Sequence, residues 1–231
     1  MRVWPGSVVV PGCDGASRLR RLSGMDSSQP SRAGEGKLSG SVQPAVSLER
    51  AGRLIRLFCP AVDDFALLAN AAQETVPQPW RGLLDHTSHM TVVMQQFHGE
   101  PPCLRVVART QPQGNGPGDW YAREILLLSA AGVVWQQGIV RIDLQHVGTA
   151  TAALIREERI PLGRVLIDAG LLREVQHVGL LKVVPGRHLA SLFGVAAGAA
   201  ATTFGRVAEI SLGGTPAVEL LEIVAPLTQD P

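Results

Sequence analysis

The sequence is poor in rings, poor in charge and almost without lysine. Of 231 residues only 4% are aromatic: one tyrosine, four tryptophans and five phenylalanines. So few rings argue against a base-stacking platform and against a carbohydrate site walled by aromatics. Charged residues make up 18%, and Lys+Arg 21 against Asp+Glu 20 leave a net charge of +1. No basic excess marks a nucleic-acid groove, and no acidic excess marks a solvating chain. Lys37 and Lys182 are the two lysines, which leaves little room for Schiff-base or phosphate-loop chemistry. The cysteines, Cys13, Cys59 and Cys103, are odd in number, far apart and without a Cys-x-x-Cys pair. Neither a disulfide framework nor a zinc ribbon is expected, and a reducing, cytoplasmic setting is. No run reaches the roughly 20 apolar residues of a membrane span. The closest, residues 189–204, is broken by Ser191, Thr202 and Thr203.

What is present suffices for one core, since 45% of the residues are hydrophobic. Residues 1–45 are dominated by Gly, Ser, Pro and Arg and read as a disordered extension. Arg2, Arg18, Arg20 and Arg21 with the single acid Asp14 would also suit a transit peptide, or a start upstream of the true one at Met25. Residues 46–231 read as a single domain. Leu48, Ala51, Leu54, Ile55 and Phe58 recur at helical spacing up to Pro60, and a second short helix is expected through Phe65, Leu67, Leu68 and Ala71. Strands are expected at 90–97 and 104–109, then a hairpin of 121–128 with 133–143. Helices follow at 149–158 and after Pro161, then a long strand at 173–184, a short helix at 188–193 and a last hairpin of 203–212 with 217–225. The Gly-rich run 114–118 leads into a strand, not into the helix a phosphate loop needs. Strands joined by tight turns are antiparallel. The expected fold is therefore α+β: an antiparallel sheet with helices covering one face.

Strand alternation points to the chemistry. Residues 121–128 are apolar on both faces, yet Arg123 sits in one row and Glu124 in the other. A guanidinium there must leave water, so it needs a carboxylate such as Glu124 or an anionic ligand, which Arg can grip through two parallel hydrogen bonds. In the last strand Glu222 and Glu219 likewise occupy opposite apolar rows. Either carboxyl is expected to have a raised pKa and to serve as an acid, unless an Arg pairs with it; alternation does not choose between them. His86, His89 and His98 invite a metal reading, but no His-Glu-x-x-His motif occurs and a third ligand is not indicated; no metal is expected. With no Gly-x-Ser-x-Gly elbow and no base beside a cysteine, nucleophilic catalysis finds no support.

At these residues the sequence resembles the chorismate pyruvate-lyase (4-hydroxybenzoate synthase) family over about residues 80–228. The likeness rests on Leu83-Leu84 before His89-Met90-Thr91, on the run Tyr121-Ala122-Arg123-Glu124-Ile125-Leu126-Leu127, on the helix leading into Pro161-Leu162-Gly163-Arg164, and on Gly214-Thr215-Pro216 with Glu222 before Pro226-Leu227. The resemblance implies a monomeric α+β domain with an enclosed ligand pocket and no cofactor. It implies a carbon–oxygen lyase that eliminates pyruvate from chorismate to leave 4-hydroxybenzoate, or alternatively a module of the same fold that binds an aromatic carboxylate without turnover. Arg123 and Glu222 would be the catalytic pair: the first clamps the ring carboxylate and the second bonds the ring hydroxyl. Met90, Leu162 and Gly163 would line the pocket, with the N–H of Leu162 donating to the carboxylate. Glu219 is the alternative pocket acid, and Arg141, where the best-known members are apolar, would alter the pocket. The implied partner is the small molecule alone, without nucleic acid or membrane; no helix-turn-helix precedes the fold.

Overall fold

The computed structural model describes residues 44–111, 118–171, 173–196 and 202–227, all within one compact unit, residues 40–231. The extension expected at 1–45 lies outside the described residues except for its end, where helix α1 (Pro44–Ile55) begins. Most of the Gly-rich run at 114–118 also lies outside them.

Seven strands form one sheet in the order β1-β5-β6-β7-β4-β3-β2, and every neighbouring pair is antiparallel. They are β1 (Ala66–Asn70), β2 (Cys103–Thr110), β3 (Trp120–Leu128), β4 (Val134–Asp143), β5 (Arg173–Pro185), β6 (Thr203–Leu212) and β7 (Thr215–Val224). The β6–β7 hairpin turns through Gly213 and Gly214, at φ 58° and 84°. A tight turn with two such residues matches the strands' twist, and glycine adopts it without steric penalty.

The antiparallel α+β architecture is as expected, but helices pack on both faces of the sheet and not on one, because β3 is apolar on both sides. On one face α1, with α7 (Arg187–Phe193), buries Ala51, Leu54, Ile55 and Leu189 against Ile139, Leu181, Val207, Leu221 and Ile223. The other face carries two groups. Near one end α3 (Trp80–Leu84) and α4 (Met90–His98) pack on Leu127, Leu180, Phe204 and Val224. Near the other, α5 (Thr149–Glu157) and α6 (Leu162–Asp168) pack on Tyr121, Val140, Ile142, Ile210 and Val218.

Two elements differ from expectation. Residues 90–97 form helix α4, not a strand. Met90 and Met94 are buried four residues apart, a helical spacing hidden by the β-branched pair Val92-Val93, and Gly99 closes the helix at φ 76°. The second short helix stops early: α2 (Val62–Phe65) gives way at Ala66 to β1, an edge strand whose Leu67 faces solvent.

Gly186 is set between β5 and α7 directly against α2. A Cβ there would lie 2.5 Å from the Asp64 carbonyl oxygen and 2.7 Å from that of Asp63. Backbone cannot yield as a side chain does, so Gly186→Ala is expected to lower unfolding free energy by about 2 kcal/mol. Gly52→Ala, inside α1 with only the Arg56 side chain nearby, should instead raise it by about 0.5–1 kcal/mol. Urea titration of both variants checks the pair; equal effects would refute the packing at Gly186.

Candidate functional site

A cavity of about 50 Å³ lies over the sheet, between the two helical groups. Its floor is one alternating set of side chains. Arg123 and Ile125 come from β3, Gln136 and Val140 from β4, Leu220 and Glu222 from β7, and Arg206 from β6. The registers align them: Arg123 opposes Val140, Val140 opposes Leu220, and Glu222 opposes Arg206. The roof is the start of α4 against the start of α6, where His89 packs on Gly163 so closely that a Cβ at 163 would lie 2.9 Å from its Nδ1.

Arg123 is fully buried, and its Nε and Nη1 have no hydrogen-bond partner. Among the described residues Nη2 reaches the Ile160 carbonyl at 3.4 Å, and the Tyr121 phenol lies close enough to act on the guanidinium. Burial lowers the pKa of the guanidinium, against which the nearby Tyr121 and Glu158 work. An Arg keeps its charge in proteins, so a cation lies in the cavity wall with at least three of its five N–H donors unmet. Glu124 is not its partner. It faces the opposite side of the sheet, where it accepts from Gln137 Nε2 at 3.0 Å and meets His188 Nε2 at 3.1 Å.

Glu222 also lines the cavity, but Arg206 Nε donates to its Oε2 at 2.7 Å. The rest of the Arg206 guanidinium fastens the segment between α3 and α4. Nη1 donates to the His86 carbonyl at 2.8 Å and the Leu84 carbonyl at 3.3 Å, and Nη2 to the Ser88 carbonyl at 3.4 Å. His86 Nδ1 stands 3.1 Å from Nη1 and accepts the Ser88 N–H at 3.2 Å, so Nε2 carries the proton and donates to the Leu83 carbonyl at 2.8 Å. Both nitrogens of His86 are thus spent within the protein, not aimed at a metal.

Met90, Leu162 and Gly163 stand in the cavity wall. Helix α6 has seven residues, so its first residues bring a wall and little dipole. Glu219 and Arg141 do not line the cavity. They face α1 on the far side of the sheet, where Arg141 Nη1 donates to Glu219 Oε2 at 2.9 Å, Arg53 adds a second bond, and the Arg141 guanidinium lies 3.7 Å over the Trp120 ring. The raised pKa expected for a carboxyl in an apolar row is corrected for Glu219. Burial would raise it, but Arg141 and Arg53 outweigh burial and hold it below the usual carboxylate range. Arg206 and Glu158 were missed by sequence reasoning. The signal for Arg206 was there, an Arg in an apolar strand, as for Arg123. For Glu158 none was, because its place is set by the turn after α5.

No family model and no curated protein matches the chain. Among solved structures it is similar to the effector domain of PhnF from Mycobacterium smegmatis, at 12% identity and a TM-score of 0.47 over 60% of this chain and 88% of that one. Against a longer PhnF chain it spans 64% of that chain. It is also similar to the ligand-binding domain of a protein described as a GntR-family transcriptional regulator from Bordetella bronchiseptica, at 15% identity and 0.41 over 55% and 86%. A GntR-family regulator from Enterococcus faecalis follows at 12% and 0.38, over 55% and 99%. The expectation of a chorismate-cleaving lyase is corrected here. The chains named above are described as regulators or as their effector and ligand-binding domains, not as lyases, and in the site the acid assigned to elimination is already engaged by Arg206. The near-neutral charge bears on this chain's own surface, and no more than that follows about nucleic acid. No described helix is long and apolar enough to cross a membrane.

Burial, and then the charge of Arg206, hold the pKa of His86 below its ordinary 6.5; burial does the same for His98, stacked 3.9 Å from the Trp135 ring. Between the folded and unfolded values the unfolded chain binds more protons, so stability rises with pH across that window. The contribution is complete above about 6.5 and is lost as pH falls through the folded values. Urea unfolding followed from neutral to mildly acidic pH should show this decline, and His86→Asn should remove part of it. An unchanged pH dependence in His86→Asn would refute the role of His86.

Proposed function

We propose that the domain binds a small aromatic carboxylate in the cavity and holds it without turnover. The observation that carries this reading is Arg123, fully buried with Nε and Nη1 unpartnered. Leaving a buried cation unsatisfied costs several kcal/mol, and a ligand carboxylate would meet both nitrogens in one plane. The charges of the lining support it. Two guanidiniums, Arg123 and Arg206, face one carboxylate, Glu222, and Arg206 is already bound to that carboxylate. One positive charge is left for a ligand to balance. Ile125, Leu127, Val140 and Leu220 offer aliphatic contact to a ring. The unengaged Oε1 of Glu222 is placed to accept from a hydroxyl on that ring. Gly138, opposite Glu222 and Ile125 in the register, leaves room for the Ile125 side chain, whose Cγ1 a Cβ there would meet at 3.3 Å.

Calorimetry with benzoate, 4-hydroxybenzoate and uncharged benzamide tests the reading. The two carboxylates should bind and benzamide should not. Arg123→Met, which keeps the length without the charge, should weaken the carboxylates at least about thirtyfold, the scale of a lost charge-assisted bond. Equal binding of benzamide, or full affinity in Arg123→Met, would overturn it.

A further inference from the structure

Arg123 has neighbours that the binding reading leaves unused. Tyr121 precedes it by two residues and shares its face of β3. Tyr121 is 4% exposed, and its O–H donates to Glu158 Oε1. The other oxygen of Glu158 takes Arg109 Nη1 at 2.8 Å, at the protein surface. Glu158 closes α5 at φ 61°, a conformation that favours glycine. Two residues on, the Ile160 carbonyl meets Arg123 Nη2, and then Pro161, Leu162 and Gly163 wall the cavity. A single short connection therefore touches Arg123, its neighbour Tyr121 and the cavity itself.

We propose that Tyr121 and Glu158 are positioning residues for Arg123: Glu158 accepts the hydrogen bond of the phenol and anchors the connection 158–161, which keeps Nε and Nη1 aimed into the cavity. This deepens the anion-binding reading and rests on it. A phenol has one proton to donate. With that proton committed to Glu158, the oxygen presents only lone pairs to the guanidinium. The phenol can then orient the cation without competing with it for a ligand's carboxylate. Burial, and then the Glu158 contact, push the pKa of Tyr121 up to about 12, so the phenol keeps its proton at neutral pH. A glutamate in a conformation that suits glycine is understandable if its side chain is needed at both ends, on Tyr121 within and Arg109 without.

Tyr121 is the single tyrosine of the chain. Incorporating a fluorinated tyrosine places one fluorine beside this contact, and its NMR signal can be read with and without benzoate. Without ligand, Arg123→Met and Glu158→Gln should each move the signal. Benzoate should move it saturably in the wild type. By calorimetry, Tyr121→Phe and Glu158→Ala should weaken benzoate about tenfold, as loss of one hydrogen bond to a charged group would. Glu158→Gln keeps an oxygen that accepts the phenol proton and should recover most of the affinity. Glu158→Gly relieves the backbone, so it should lose affinity while melting no lower than the wild type, which a merely structural role would not produce. The proposal is overturned if the ligand-free signal is unmoved in Arg123→Met and Glu158→Gln, or if Tyr121→Phe and Glu158→Ala bind benzoate as the wild type does. A wild type indifferent to benzoate, with the ligand-free shifts intact, would sink the anion reading and uphold the positioning of Arg123.

Discussion

The guanidinium of Arg206 holds the cavity together. It rises from the sheet floor, but most of its donors go to the roof: the carbonyls of Leu84, His86 and Ser88 lie on the segment that joins α3 to α4. Its remaining bond goes to Glu222, its cross-strand neighbour. A single residue thus ties the roof to the sheet and engages the acid beside it. Removing it would leave a carboxylate and three carbonyls without their donor, the kind of loss that is expensive in a buried network. His86 joins the same network by accepting at Nδ1, which is why its neutral form is the one the fold favours.

With Glu222 engaged, Arg123 becomes the charge that defines the site. The two arginines are alike in burial and opposite in employment. Arg206 is saturated by the protein, whereas Arg123 keeps two nitrogens unmet. A saturated guanidinium supports structure; an unsatisfied one supports recognition. The same alternation separates the last strand's two acids. Glu222 stands over the cavity, while Glu219 faces α1 and is held there by Arg53 and Arg141. Arg141, stacked on Trp120, belongs to that far side as well.

Period-two alternation is the part of this architecture that a linear reading captures best. It placed Arg123 in an apolar row covered on both sides, and it showed that Glu219 and Glu222 must part company. It did not choose between them, because the choice depends on which face the helices leave open. It failed at residues 90–97, where Val92-Val93 reads as strand while the methionines keep a helical spacing; packing of Met90 and Met94 under Trp80 and Leu84 decides in favour of the helix. Arg206 went unnoticed although its strand, Phe204 to Leu212 on one face, shows the same anomaly as β3. The roof carbonyls that occupy it are sixty residues or more from any element it pairs with along the sheet, and nothing local announces them. Glu158 is harder still, since its role comes from a left-handed turn and from Tyr121, 37 residues earlier.

The composition that first looked uninformative acquires a meaning from this geometry. A chain with few charges has few ways to neutralise a buried one, so an unmatched guanidinium in its sheet is conspicuous. In a low-dielectric cavity the field of that cation is poorly screened, and it selects for anionic character ahead of ring shape. Aliphatic walls discriminate weakly, by about 1–3 kcal/mol per methylene. On the proposed reading the polar poles therefore set specificity: Arg123 for the carboxylate and Glu222 for whatever donor lies across the ring. That division needs no reaction to explain it. Arg123 then serves as a ligand contact and Arg206 as a brace, and Glu222, held by Arg206, serves as an acceptor without any proton transfer being required of it.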